Sequence, residues 1–268
     1  MSRDKETHRG QLAVITGASS GIGYELAKVF AKNGFDLLVA AEDDGIAEAA
    51  NAFKSFGTKV EYLQVDLASF EGTEKLYQHI AKLGRPLECV VLNAGVGVGG
   101  EFQDTDLKAE LNLIHLNIVS LVHFTKRVLP DLIAQGRGRI LYTSSIAATM
   151  PGPYYAVYAA SKAFVQSFSE AIREEVKDKG ITVTALQPGP TDTAFFERAD
   201  MVDTKAGQGK KDDPADVARD GYEALMAGKD HVIAGSFQNQ IQAKMANFAT
   251  EPMGAKMQGA QTKPGSGH

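Results

Sequence analysis

Two side chains four residues apart, Tyr158 and Lys162, have a spacing that favours acid–base chemistry. Residues at positions i and i+4 of a helix lie on one face, so the phenol and the ammonium can meet one turn apart. A phenol with a reference pKa of about 10 is a poor base near neutral pH, and a nearby cation favours the tyrosinate. The pair predicts proton transfer by Tyr158, although such a spacing also arises by chance on exposed helices.

A glycine-rich segment near the N-terminus is suited to binding phosphate groups. Its sequence is Thr16-Gly17-Ala18-Ser19-Ser20-Gly21-Ile22-Gly23, between a short apolar run and a helical pattern. Glycines let the backbone approach a pyrophosphate, and the first N–H groups of a helix are unpaired. The spacing is Gly-x-x-x-Gly-x-Gly, so the segment alone also fits a tight turn between a strand and a helix.

Polar residues after two other predicted strands support a dinucleotide site. Asp66 and Leu67 follow the strand that ends at Val65, and the carboxylate can accept from an adenine amino group. Asn93-Ala94-Gly95 follows the strand that ends at Leu92. Open α/β sheets bind ligands at the carboxyl ends of their strands, so the three segments together predict one dinucleotide site.

Two more polar residues can reach the cleft that holds Tyr158. Ser145 follows the predicted strand ending at Thr143, with Ser144 as the competing choice. Asn117 lies within a predicted helix among apolar residues, where an asparagine does not favour the helix. Its side chain therefore either serves the site or makes a structural hydrogen bond to a neighbouring strand.

The elements that must position these residues alternate between strand and helix along the chain. Short apolar runs are predicted as strands, and the segments between them have helical periodicity, including one long helix over residues 108–134. Continuous apolar strands are typical of a sheet covered by helices on both faces. The sequence therefore predicts a single α/β domain, a Rossmann-like doubly wound parallel sheet with helices on both faces.

We expect three parts in the chain. Residues 1–9 are predicted as a flexible N-terminal segment and residues 10–249 as the NAD(P)-binding catalytic domain, with a substrate loop at about 190–213. Residues 250–268 are rich in Met, Gly, Gln, Lys and Pro, and are predicted as a mobile C-terminal tail.

Composition excludes several classes of function. The formal net charge is -5, which offers no basic surface for nucleic acid. No run approaches the roughly 20 apolar residues of a membrane span, and the first ten residues lack the apolar core of a secretory signal. We expect no membrane association and a cytoplasmic location. The histidines His79, His115 and His123 show no metal-ligand spacing, so we expect no metal site.

Taken together, these motifs resemble the single-domain short-chain dehydrogenase/reductase family. The resemblance spans about residues 10 to 235, and the set in this order is far more specific than any one member. It extends to Pro188-Gly189 with Thr191 and Thr193 in the loop after the last long strand.

The resemblance implies an NAD(P)-dependent oxidoreductase acting on a carbonyl or secondary alcohol carbon. Tyr158 would be the general acid in reduction, Ser145 would bind the reacting oxygen, and Asn117 would anchor a water in a proton relay. Lys162 would hold the nicotinamide ribose and lower the tyrosine pKa. Thr193 and the backbone around Thr191 would bind the carboxamide, and the pro-S hydride would be transferred.

The implied cofactor site comprises the glycine loop, the segments after the next strands, the Tyr and Lys pair, and the loop after residue 187. Its members are Gly17, Ser19, Ser20, Gly21, Ile22, Gly23, Asp66, Leu67, Asn93, Ala94, Gly95, Tyr158, Lys162, Pro188, Gly189, Thr191 and Thr193. By the same resemblance, the chain would form a homodimer or homotetramer.

The choice of cofactor depends on the end of the second strand, Ala41-Glu42-Asp43-Asp44. A site for an adenosine 2′-phosphate needs Arg or Lys there or beside Gly21, and neither is present. Carboxylates at this position repel a phosphate, so NAD(H) is favoured and NADP(H) stays open. Members that use NAD typically have Asp at the position of Ala41, and this sequence departs from that pattern.

The expected substrate is a small, mainly apolar ketone or secondary alcohol. Apolar residues that can line its pocket, or belong to the core, are Val96, Val98, Met150, Tyr154, Tyr155, Phe195, Phe196 and Met201. A non-catalytic dinucleotide-binding regulator on the same fold is the alternative function. The presence of Asn117, Ser145, Tyr158 and Lys162 argues against it, because a sensor needs only the cofactor loop. The short remainder after the motifs also disfavours a sugar-nucleotide epimerase.

Overall fold

A seven-stranded parallel sheet forms the centre of the computed structural model, which describes residues 8–236, 239 and 250–267. The predicted flexible segment 1–9 therefore lies mostly outside the described residues. The strand order is β3-β2-β1-β4-β5-β6-β7. The strands are β1 Leu12–Thr16, β2 Asp36–Ala41, β3 Val60–Gln64, β4 Leu87–Leu92, β5 Gly138–Thr143, β6 Ile181–Pro188 and β7 His231–Ala234.

Helices connect successive strands and cover both faces of the sheet, which confirms the predicted fold class. They are α1 Gly21–Lys32, α2 Gly45–Lys54, α3 Phe70–Leu83, α4 Leu107–Ile114, α5 Ser120–Gln135, α6 Ala156–Val176, α7 Phe195–Arg198, α8 Lys205–Gln208, α9 Pro214–Met226 and α10 Glu251–Thr262.

Two apolar layers hold these helices on the sheet. One layer joins β1 and β2 to α1, α2 and α9, with Phe30 and Phe53 fully buried in it. The other joins β4 and β5 to α3, α5 and α6 around Tyr142, which is also fully buried. Alternate side chains of each parallel strand enter opposite layers, so burial on both faces explains the continuous apolar strands. The rigid sheet fixes the positions of the loops at its carboxyl edge.

The helix predicted over residues 108–134 is interrupted in the structure. A π-helical turn, His115–Val119, separates α4 from α5 and contains the buried Asn117. A single π-helical turn inserts one residue into the regular ladder and often lies at a functional site. Apolar periodicity does not report such an insertion, because the flanking turns keep helical spacing.

Part of the segment predicted as a mobile tail is helical, since residues 251–262 form α10. This helix packs on the segment before α6, where Gly254 lies against Met150 and Thr262 Oγ1 donates to the Pro153 carbonyl at 2.8 Å. Glycines and scattered polar residues gave it no apolar stripe for the sequence pattern to detect. The mobility of this segment and the domain boundaries stay predictions.

The described part of the chain contains no helix that is both long and apolar enough to cross a membrane.

Candidate active site

One cavity of about 880 Å³ at the carboxyl edge of the sheet collects most of the predicted site residues. It extends from the glycine loop to the start of α6. The predicted residues that line it are Gly17, Ser19, Ser20, Gly21, Ile22, Gly23, Leu67, Asn93, Ala94, Gly95, Ser145, Tyr158, Lys162, Pro188, Gly189, Thr191 and Thr193.

Two predicted residues do not line this cavity. Asp66 is exposed, and its carboxylate accepts from the Ala68 backbone N–H at 2.8 Å, while the neighbouring Val65 and Leu67 face the cavity. Asn117 lies behind the wall of the cavity. Proximity in sequence to a cavity residue therefore does not by itself place the Asp66 side chain in the site.

The glycine loop has a backbone shape that side chains cannot occupy. Gly17 and Gly21 have φ values of +66° and +56°, which favour glycine. A Cβ on Gly23 would lie 2.0 Å from the Gly17 carbonyl oxygen. The turn therefore closes against the first turn of α1, leaving free N–H groups of that helix beside the cavity. This cradle fits a pyrophosphate.

Asn93 holds the glycine loop against the neighbouring strands. Its Nδ2 donates to the Thr16 carbonyl at 3.2 Å, and its Oδ1 accepts from Thr143 Oγ1 at 3.2 Å. The Thr16 hydroxyl in turn accepts from the backbone N–H groups of Asn93 and Ala94 at 3.0 and 3.1 Å. These bonds tie the ends of β1, β4 and β5 together, so Asn93 shapes the floor of the cavity.

Tyr158 and Ser145 meet on the side of the cavity opposite the glycine loop. Burial raises the pKa of Tyr158 to about 12, and a hydrogen bond with Ser145 opposes the rise. The net shift is upward because desolvation dominates, with Lys162 Nζ 5.7 Å from the centroid of the tyrosine ring, and the lowering of this pKa by the lysine cation stays a prediction. Tyr158 is therefore a protonated donor near neutral pH.

Of the two competing serines, Ser145 is the one beside Tyr158. The Ser144 hydroxyl donates to the Lys162 backbone carbonyl at 3.0 Å, which ties β5 to α6. Ser145 Oγ accepts from the Ala147 backbone N–H at 3.1 Å. The Ser145 oxygen is thus held at the start of a short helical turn, next to the phenol of Tyr158.

Lys162 is a buried cation whose ammonium group is held in place by a hydrogen bond. It is 5% exposed, and its Nζ donates to the Thr143 carbonyl at 2.9 Å. A Cβ on Gly95 would lie 3.3 Å from that nitrogen, so the glycine leaves the ammonium access to the cavity. Burial lowers the pKa of Lys162 to about 8, so its charge is retained at neutral pH and lost in mild alkali.

Asn117 makes structural hydrogen bonds, which is one of the two roles considered for it from the sequence. Its Oδ1 accepts from the Val96 N–H at 3.0 Å, its Nδ2 donates to the Val96 carbonyl at 2.9 Å, and the same nitrogen reaches Ser161 Oγ at 3.1 Å. The side chain thus joins the loop after β4 to α6. Both partner segments border Lys162, so Asn117 positions the wall behind the lysine.

The loop after β6 closes over the cavity. The Thr191 hydroxyl donates to the Gly189 carbonyl at 2.9 Å, and Thr193 Oγ1 accepts from the Phe195 N–H at 3.3 Å. Thr193 also lies against the glycine loop, since a Cβ on Gly21 would be 3.0 Å from its methyl carbon. The predicted substrate loop at 190–213 contains the short helices α7 and α8 rather than being wholly irregular.

Apolar residues of the predicted substrate side form a small cluster around Tyr158. Phe196, Met201 and Tyr155 are buried in it, and Phe195 packs on Tyr158 with ring centroids 5.0 Å apart. These residues pack against one another and also line the cavity, so they belong both to the core and to the wall of the pocket. Tyr154, by contrast, does not line this cavity.

The end of the cavity near β2 carries charges of both signs. Ser19 Oγ donates to Asp43 Oδ2 at 2.6 Å, which holds that carboxylate beside the glycine loop. Arg198 of α7 lies 3.4 Å from Ser20 Oγ, measured from Nη2. The sequence analysis found no cation at this position, because Arg198 is 178 residues away along the chain. Only the fold of the substrate loop brings it there.

Among the residues that the structure describes, no group of three or more His, Cys, Asp or Glu side chains could hold a metal ion.

Comparison with known proteins shows which family the chain is similar to. The pattern of the short chain dehydrogenase family matches residues 11–202. The oxidoreductase UcpA of Salmonella typhimurium is 31% identical over 81% of this chain and 80% of its own length. The ketoacyl reductase HetN of Nostoc sp. is 28% identical over 68% of this chain, and the match spans 64% of that protein. A short-chain dehydrogenase from Sphingobium yanoikuyae, solved in complex with NADPH, superposes with a TM-score of 0.78 at 27% identity, over 83% of this chain and 87% of its own.

Proposed function

Because the chain belongs to the short-chain dehydrogenase family and is an NAD(P)-dependent oxidoreductase, we propose that it interconverts a mainly apolar small ketone and the corresponding secondary alcohol. The observation that carries the proposal is the single cavity shared by the glycine loop and by Ser145, Tyr158 and Lys162. A dinucleotide lying along it from the loop would end beside the phenol.

Each segment of the cavity would hold a different part of the dinucleotide. The N–H groups at the start of α1 would bind the pyrophosphate, and Lys162 would bind ribose hydroxyls through its ammonium. Thr191 and Thr193 are suited to the carboxamide because both residues line the cavity in the loop after β6. When bound, the nicotinamide ring supplies or accepts the hydride.

Ser145 and Tyr158 would act on the substrate oxygen. In the reductive direction, the Ser145 hydroxyl donates a hydrogen bond to the carbonyl oxygen and Tyr158 gives that oxygen its proton, leaving a tyrosinate. The Lys162 cation stabilises the tyrosinate electrostatically. Asn117 keeps the segments around the lysine in place, and the proposed water relay beside it would return a proton from solvent. In the oxidative direction the same groups work in reverse.

NAD(H) is the proposed preferred cofactor. The Asp43 carboxylate beside Ser19, together with the exposed Glu42 lining the same end of the cavity, would repel an adenosine 2′-phosphate. Arg198 is one exposed cation, bonded to Ser20, against two carboxylates, so it offsets their repulsion only in part. Dissociation constants for NADH and NADPH measured in parallel test this preference.

Membership of an oxidoreductase family disfavours the non-catalytic regulator considered from the sequence. A panel of ketones and secondary alcohols, followed by nicotinamide absorbance with both cofactors, tests the proposed substrate class. Turnover of apolar ketones that depends on Tyr158 supports the proposal, whereas turnover confined to other panel members contradicts it. The cytoplasmic location and the homodimeric or homotetrameric state stay predictions from the sequence.

A further inference from the structure

The C-terminal helix α10 forms one wall of the cavity, beyond the residues that the cofactor requires. Gly259 of α10 lies against Pro153, where an added Cβ would be 3.4 Å from the proline ring, and a Cβ on Gly254 would be 3.1 Å from Met150. These glycines let the helix backbone approach the segment before α6. As a result, Met257 and Gln258 of α10 line the cavity.

One hydrogen bond links this helix to a buried tyrosine. Gln258 Nε2 donates to Tyr155 Oη, and both residues line the cavity. Since the phenol oxygen accepts from the amide, its own hydrogen is left to be donated. Burial raises the pKa of Tyr155 above its ordinary value, so this group is a hydrogen-bond donor and not a base.

Tyr155 stands beside the proposed proton donor. Its ring stacks on that of Tyr158 with centroids 5.7 Å apart and an interplanar angle of 25°. The preceding residue, Tyr154, has a φ of +65°, a left-handed conformation that costs free energy for a side chain other than glycine. The Gly100 N–H fixes this turn by donating to the Tyr154 carbonyl at 2.8 Å. The strained turn thus directs Tyr155 into the cavity.

Two phenols with stacked rings can therefore donate to two oxygens of one small molecule. Tyr158, with Ser145, would take the reacting oxygen, and the Tyr155 hydroxyl is available to a second acceptor nearby. An apolar substrate with a single oxygen would leave this second donor unpaired in a buried site, which costs free energy. The arrangement favours a substrate with two oxygens.

We propose that Tyr155, oriented by Gln258 of the C-terminal helix, is a substrate-specificity residue that binds a second oxygen acceptor of the substrate. The preferred class would be small apolar ketones with a further carbonyl or hydroxyl oxygen, such as diketones and hydroxyketones. The inference rests on the proposed function, which it narrows from ketones in general to this class.

The kinetic test compares cyclohexanone with cyclohexane-1,2-dione and cyclohexane-1,4-dione in the wild type, Tyr155→Phe and Gln258→Leu. We expect the wild type to prefer at least one dione. In Tyr155→Phe the ratio of dione to cyclohexanone kcat/KM should fall about fivefold, mainly through KM, as expected for one lost hydrogen bond. Gln258→Leu should lower the ratio in the same direction by less. Met253→Leu, an exposed residue of the same helix, is the matched control and should keep the wild-type ratio.

A binding measurement separates this inference from the proposed function. In Tyr158→Phe with NADH present, calorimetry gives the dissociation constants of cyclohexanone and the diones without turnover. If a dione binds more tightly than cyclohexanone, and Tyr155→Phe weakens that complex, the binding role of Tyr155 is supported even if the wild type turns over neither compound. Equal affinities for ketone and diones, or a dione preference that survives both Tyr155→Phe and Gln258→Leu, would overturn it, even where turnover confirms the proposed function.

Discussion

The close contact of Gly23 with the glycine loop gives a prediction whose size can be worked from the structure. In Gly23→Ala, the new methyl carbon would lie 2.0 Å from the Gly17 carbonyl oxygen, about 1.4 Å short of the 3.4 Å at which ordinary contact begins. It would also lie 2.4 Å from Asn93 Nδ2, so the loop cannot move without losing the hydrogen bonds that Asn93 makes to it. The loop must move away from the start of α1.

That movement should affect both stability and binding. Overpacking of this kind destabilises a fold by about 1–3 kcal/mol. A hydrogen bond to a charged group contributes about 1.5–3 kcal/mol, so misdirecting one pyrophosphate contact should weaken NADH binding roughly tenfold to a hundredfold. Thermal unfolding and titration of NADH fluorescence measure the two effects separately.

Gly180→Ala is the matched control, since its methyl carbon would lie 2.1 Å from the Gly136 carbonyl oxygen, at the opposite edge of the sheet. We expect it to lower the unfolding temperature while the folded protein keeps the wild-type NADH affinity. If Gly23→Ala binds NADH within about threefold of wild type, a difference of under 1 kcal/mol, the assignment of this loop to the pyrophosphate is wrong.

Two further predictions concern the charges of the site. The kcat/KM of ketone reduction should be level below about pH 8 and should fall above it by up to about tenfold per pH unit. The fall is expected because Lys162, with its pKa lowered to about 8, loses its charge. Tyr158 stays protonated over this range, since its pKa is raised to about 12. A profile that stays level to pH 10 would show that the lysine charge does not assist the reaction. Asp43→Asn should strengthen NADPH binding relative to NADH by about threefold at low salt and by less at high salt, because one carboxylate near the 2′-position is removed. An unchanged ratio of the two dissociation constants would contradict the proposed repulsion.

The sequence predicted the sheet and most of the cavity because both depend on local patterns. Apolar runs marked β1 and β4, and the residues just past their ends line the cavity because parallel strands end at one edge. The same reasoning predicted that Ser145 and Tyr158 reach one cleft, and both residues line the cavity. Asp66 does not line the cavity, because its side chain turns to its own backbone at a strand end that otherwise borders the cavity, and its contact with the adenine stays a prediction.

The features that the sequence did not predict arise from packing between distant segments. Arg198 reaches Ser20 and Gln258 reaches Tyr155 across 178 and 103 residues, and no local spacing encodes either contact. The raised pKa of Tyr158 has the same origin. Helical spacing showed a cation one turn away, but the desolvation that outweighs it comes from residues of other elements packed around the phenol.

The most direct test of the central claim is turnover by Tyr158→Phe, measured with NADH affinity on the same preparation. The substitution removes only the hydroxyl, so the packing of the ring against Phe195 is retained. We predict a loss of at least about a hundredfold in kcat for ketone reduction, the smaller bound for a positioned proton donor, with NADH still bound. Near-normal turnover in this variant would contradict proton transfer by Tyr158.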